Sequence, residues 1–188
     1  MTKVALLLAD GFETIEALTV TDVLRRGGVD VTDVSCTGTL TATSSQRVPV
    51  TCDCLLEDYD FSNCDWIVTP GGMPGETNLR ANERVCELLE QFMRTRHVAS
   101  ICASPAILAE LGLLDGRHAT CFPGFDKDFP SGVRPAENGV YVDGNLVTGS
   151  GMGWALPFSL EILRQISGDD AVDKVRGGLA LPPEGQAR

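Results

Sequence analysis

The sequence predicts an α/β fold with a mostly parallel sheet and helices on both faces, and three observations carry that reading. Short, uniformly apolar runs alternate with amphipathic stretches of helical period along nearly the whole chain. The runs are apolar on both sides, as strands of a covered parallel sheet are. Turn residues such as Asp10-Gly11 and Pro70-Gly71-Gly72 follow the runs directly, where strand-to-helix loops belong.

In order, residues 4–9 read as a buried strand ending at Asp10-Gly11. Residues 13–26 form a helix with Ile15, Leu18, Val23 and Leu24 at helical spacing, stopped by Gly27-Gly28. Residues 29–35 are the next strand, and the β-formers and turn residues of 39–51 suggest a small antiparallel hairpin at an edge. Residues 65–69 are a short buried strand; 82–95 are an amphipathic helix with Val85, Leu88, Leu89 and Phe92 on one side. Residues 98–102 form a strand that passes almost without a linker into a helix at 105–111, and 118–121 form another strand. Residues 140–142 and 145–148 make a hairpin around Asp143-Gly144, followed by helices over 154–166 and 169–176. The pattern predicts one domain over residues 1–181 and a polar, mobile tail over 182–188.

Length and composition bound the function. A chain of 188 residues with 43% hydrophobic and 22% charged residues can bury a core without disulfides. No apolar run approaches the roughly 18 residues of a membrane span, and the N-terminus carries no signal-peptide pattern. A net charge of −11 argues against nucleic acid or anionic lipid as the main partner, which leaves a small molecule or another protein. The cysteine count is odd, at seven, which together with the missing signal pattern predicts reduced thiols and a cytoplasmic protein. Cys52-Asp53-Cys54 has no second ligand pair, so no metal site is expected there.

Ligands of open parallel sheets bind beyond the carboxyl ends of the strands. Residues 11–16, 70–72, 102–104 and 149–153 should therefore meet in one cleft. Within Ser100-Ile101-Cys102-Ala103-Ser104-Pro105, Cys102 sits where a strand turns sharply into a helix. Such an elbow exposes and strains a nucleophile, and the helix N-terminus lowers a thiol pKa. The bland alternative is a buried cysteine that merely ends a strand. Gly71-Gly72 offers two unobstructed N–H groups for an oxyanion, or is simply a tight turn.

The run 149–153 resembles half of a dinucleotide fingerprint but lacks the strand and acidic residue that should follow, so it reads as cleft wall. Glu16, in an apolar stretch, reads as a carboxyl aimed into the cleft and kept protonated by desolvation, or as an ordinary surface glutamate; Glu13 reads as its solvated neighbour. His97 lies roughly 16 Å from Cys102 at strand rise, and His118 opens its own strand at the same far edge, so a histidine-assisted triad is not expected.

Together these segments resemble the ThiJ/PfpI superfamily, in the branch of the parkinsonism-associated deglycase (DJ-one) and its bacterial ThiJ-like relatives. The resemblance rests on residues 10–16 and 22–28, Pro70-Gly71-Gly72, Ile101-Cys102-Ala103-Ser104-Pro105, Phe122-Pro123-Gly124 and residues 148–153, in the family's order. It implies a flavodoxin-like three-layer sandwich that forms a homodimer and uses no cofactor. It also implies that Cys102 is the nucleophilic, oxidisable cysteine, Glu16 its hydrogen-bonding partner, and Gly71, Gly72 and Ala103 backbone donors. Arg47, Ser150 and Gly151 are expected to line the cleft. One departure is Phe122, which stands where the human protein's branch has a histidine.

The implied activities are cofactor-free conversion of methylglyoxal to lactate and deglycase action on glycated adducts; the partner is then a small reactive aldehyde or a glycated substrate. The rival reading is an oxidative-stress sensor or redox-regulated chaperone in which Cys102 becomes a sulfinic acid. An amidotransferase would need a histidine after His118, and a PfpI-type peptidase one at position 103, which is alanine.

Overall fold

The computed structural model describes residues 1–130, 133–135 and 137–182, so residues 183–188 of the predicted tail lie outside the described residues. Seven strands form the main sheet: β1 (Lys3–Leu8), β2 (Asp30–Ser35), β5 (Cys54–Leu55), β6 (Trp66–Thr69), β7 (His97–Ile101), β10 (Val140–Asp143) and β11 (Leu146–Gly149). Their order is β10-β11-β7-β6-β1-β2-β5, parallel throughout except for the β10–β11 hairpin. β3 (Thr41–Thr43) and β4 (Pro49–Thr51) pair antiparallel as a separate ribbon, as the turn chemistry of that stretch predicts.

The period of two in β1 divides the core. Val4, Leu6 and Leu8 pack with α1 (Thr14–Arg26), α5 (Ala155–Ser167) and α6 (Asp169–Gly178). Ala5 and Leu7 face the opposite side, with α2 (Gly75–Arg80), α3 (Glu83–Thr95) and α4 (Pro105–Glu110). That is a three-layer α/β sandwich of flavodoxin-like form. Because α1 returns the chain to β2 on one side of β1 while β6 lies on the other, the loops after β1 and β6 diverge. They leave a crevice at the carboxyl edge, where Cys102 follows β7.

Three elements differ from the sequence pattern. The buried face of α1 is Ala17, Val20, Val23 and Leu24 together with Glu16 and Thr21, while Ile15 is exposed and Leu18 half-buried. Small residues prevail because α1 packs tightly on α5; a Cβ on Gly27 would run into the Leu163 side chain. Helix α2 carries no capping signal, since Pro74 precedes it and no side chain caps it. The predicted strand at 118–121 shrinks to β8 (His118–Ala119), which leaves the main sheet and pairs with β9 (Arg134–Pro135).

Close backbone approach fixes the crevice. A Cβ at Gly75 would lie 2.6 Å from the Phe12 nitrogen and 2.7 Å from Gly11 backbone atoms, whereas one at Gly177 in α6 would meet nothing. Gly75→Ala should therefore destabilise by about 1–3 kcal/mol, and Gly177→Ala should stabilise by up to about 1 kcal/mol. Urea midpoints check the opposite signs; two shifts in the same direction would contradict this packing.

Candidate active site

The four loop segments expected in one cleft do meet. The Glu13 N–H donates to the Gly71 carbonyl at 2.8 Å, and the Cys102 N–H to the Gly149 carbonyl at 2.9 Å. The Ser104 hydroxyl donates to the Pro70 carbonyl, and a Cβ on Gly151 would lie 3.9 Å from the Cys102 sulfur. The β3–β4 ribbon closes the cleft through Gly11 N–H to Thr43 O at 2.7 Å, Ser45 N–H to Phe12 O at 2.8 Å and Thr43 N–H to Asp10 Oδ1 at 2.8 Å.

Cys102 has φ +65°, a left-handed conformation rare outside glycine. The strain fits the elbow reading over the bland one. The residue is buried, with 8% of its surface exposed, and opens into a cavity of about 280 Å³. Glu16 is fully buried; its Oε2 accepts the Gly71 N–H at 2.8 Å, and its Oε1 has no hydrogen-bond partner. Burial pushes the Glu16 carboxyl up to about 7 against the pull of the Gly71 N–H, with a smaller upward push from the Glu13 charge.

The Cys102 thiol moves opposite to the expectation drawn from the helix terminus. Burial, then the Glu16 charge and the hydrogen bond to it, push it up to about 12 against the N–H groups of Ala103 and Gly72. Helix α4 is only six residues long and cannot outweigh a buried neighbouring carboxylate. Half-buried Cys36 and buried Cys121 are also raised to about 12, so a low pKa does not single out Cys102. Its carboxyl partner and its strained turn do.

Not every expected residue plays the expected part. The Gly71 N–H donates to Glu16, which leaves Gly72 and Ala103 as the donors facing the sulfur. Any side chain at Gly71 would collide with Cys102 and Glu16. Arg47, with φ +64°, is exposed at the ribbon's turn and does not line the cavity; Ser45 and Gln46 do. The Ser150 hydroxyl is buried, accepting the Gly139 N–H at 2.7 Å and bonding Thr120 Oγ1 at 2.9 Å, so it anchors the wall.

Glu13 is not solvated: it is buried, caps α1, accepts the Ser45 hydroxyl at 3.2 Å and lines the cavity. Its place just before a helix was the available signal. Phe122 and Met152, from segments already read as part of the site, complete the lining with Met73 and Phe125, which no sequence pattern marks. His97 stacks on Trp66 and His118 meets Tyr141 edge-on, both at the amino edge of the sheet, and neither lines the cavity.

A cysteine on a strained elbow beside a buried carboxyl, at the switch point of a parallel sheet, defines a class of cysteine-centred α/β proteins. Within that class the chain belongs to the DJ-1/PfpI family, whose model matches residues 2–165. It is 34% identical to the DJ-1 homolog B of Arabidopsis thaliana over 96% of its own length, and spans only 42% of that longer protein. Against dj-1beta of Drosophila melanogaster it is 33% identical over 96% of this chain and 98% of the other. A deglycase of Pyrococcus abyssi is 35% identical over 78% of this chain and 88% of its own. Among solved structures, oxidized Toxoplasma gondii DJ-1 superposes with a TM-score of 0.91 at 32% identity, covering 96% of this chain and 99% of that one.

The raised Glu16 pKa makes stability depend on pH. Below about pH 4.5 the carboxyl is protonated in both the folded and unfolded chain, and the group costs nothing. As pH rises to about 7 the unfolded chain loses its proton first, so stability falls by roughly 3 kcal/mol and stays lower above that. Glu16→Gln should remove this component, so its stability relative to wild type should rise between pH 4.5 and 8. Denaturant midpoints across that range check it; a difference independent of pH would contradict the shifted carboxyl.

Proposed function

We propose that the chain is a cofactor-independent glyoxalase- or deglycase-type enzyme acting on methylglyoxal-like dicarbonyls or their adducts. The observation that carries this reading is the Cys102–Glu16 pair: a strained thiol open to a small cavity, with a buried carboxyl raised to about 7 behind it. A carboxyl near neutrality can take and return protons at pH 7, as isomerisation of a dicarbonyl requires. The similarity to a deglycase adds support.

In this reading the thiol proton passes to Glu16 as Cys102 sulfur adds to the aldehyde carbon. The carbonyl electron pair moves onto oxygen, where the Gly72 and Ala103 N–H groups stabilise it. Glu16 returns its proton to that oxygen, giving a hemithioacetal. The Glu16 carboxylate then removes the hydrogen from the former aldehyde carbon, and the electrons move onto the ketone oxygen. The hydroxyl proton shifts to that oxygen while Glu16 protonates the second carbon, leaving a thioester of Cys102. Water hydrolyses it to lactate and restores the thiol. The aldehyde carbon is oxidised and the ketone carbon reduced, so no external oxidant is needed.

Lactate formation from methylglyoxal tests this. Sustained turnover is expected from wild type and none above buffer from Cys102→Ser or Glu16→Gln. The kcat/KM should rise with pH to a plateau, with a midpoint near 7, because Glu16 must be ionised to accept the proton. At pH 5 it should lie about 100-fold below the plateau. A flat profile, or no turnover by a folded wild type, would refute the assignment.

A second reading draws on the unpartnered Glu16 Oε1: an oxygen added to Cys102 by peroxide could receive a proton from that carboxyl. Oxidation by two peroxides to a sulfinic acid, releasing two waters, without aldehyde turnover would favour a sensor.

A further inference from the structure

Four of the large apolar side chains exposed among the described residues gather at the rim of the Cys102 cavity and the recess beside it. Met73, Phe122 and Met152 are 51%, 42% and 46% exposed and line the cavity itself. Trp154, 40% exposed, joins Phe122 and Met152 around an adjoining recess of about 250 Å³. Apolar side chains left in water at a reactive group are what an apolar ligand would cover.

Phe122 is held firmly enough to act as one wall. Its N–H donates to the Cys102 carbonyl at 2.7 Å, and a Cβ at Gly151 would lie 3.1 Å from its ring. Phe125 meets it edge-on at 6.4 Å. A phenyl ring at this place can neither donate nor take a proton, so what it supplies is shape and apolar contact. Charge points the same way: among the described residues lining the cavity the only ionisable side chain besides the thiol is Glu13, and Glu16 behind it ionises above about pH 7. An anionic substrate would meet like charge.

We propose that this site prefers uncharged dicarbonyls bearing an aryl or branched alkyl group over phosphorylated or nucleotide-borne ones, with Phe122 and Met152 setting the preference. The inference rests on the dicarbonyl reading above and narrows its substrate class. For an aryl example, phenylglyoxal and water give mandelate; the aldehyde carbon is oxidised and the ketone carbon reduced, as with methylglyoxal.

The test compares kcat/KM for phenylglyoxal and methylglyoxal in wild type, Phe122→Ala and Met152→Ser. The intrinsic electrophilicity of the two aldehydes cancels when their ratio is compared between proteins. The ratio should fall about tenfold in Phe122→Ala, as loss of partial burial of a ring implies, and severalfold in Met152→Ser. An unchanged ratio in both folded variants overturns the proposal.

If neither aldehyde turns over, the dicarbonyl reading fails separately, and alkylation of Cys102 followed by peptide mass still decides the preference. N-benzyl iodoacetamide should then react several-fold faster than iodoacetamide, and iodoacetate slowest, each relative to a free thiol. Phe122→Ala should abolish the benzyl advantage. Equal relative rates for the three reagents would overturn the preference.

Discussion

The Glu16 carboxyl, fully buried and held by one backbone N–H beside a thiol, is the constraint on which the site depends. In water the carboxyl would ionise near 4.5 and the thiol near 9, far enough apart to act independently. Burial raises both and couples them, so that above about pH 7 the pair retains a single proton. The fold bears a stability cost for the arrangement, and the surrounding backbone keeps it from relaxing. Gly71 must lack a side chain to let Cys102 and Glu16 meet, and Cys102 must hold a left-handed turn.

The layers outside that pair explain why it stays dry yet reachable. Strand β1 delivers Glu13 and Glu16 through a loop pinned by the β3–β4 ribbon, while β7 delivers Cys102 against the β11 end. Because the loops after β1 and β6 part at the switch point, Cys102 opens into a cavity while Glu16 stays buried behind it. The wall there is apolar, and Phe122 is fixed to it by its own backbone. Position and polarity are thus set by different elements.

Much of this was legible in the sequence because it depends on local rules. Uniformly apolar runs and the helix period reveal the sandwich, and the absence of a linker between residues 102 and 105 reveals the elbow. What stayed hidden depends on tertiary contact. The exposure of Ile15 follows from which side of α1 the sheet and α5 cover, the side of Ala17, Val20, Val23 and Leu24, which spacing within α1 leaves open. Burial of Glu13 depends on its tertiary partners, the α1 terminus it caps and the Ser45 hydroxyl it accepts, which its neighbours in sequence do not reveal. The thiol pKa runs against its local cue, the helix terminus, because burial and a carboxylate from the first turn of α1 are tertiary effects.

The most direct test of the coupled pair is to titrate Glu16 itself, by difference infrared spectroscopy of its carboxyl stretch in wild type against Glu16→Gln. The account predicts a protonated carboxyl band that disappears with a midpoint near pH 7, and a midpoint that moves in Cys102→Ser. A band already lost by about pH 4.5, unaffected by the residue at position 102, would contradict it.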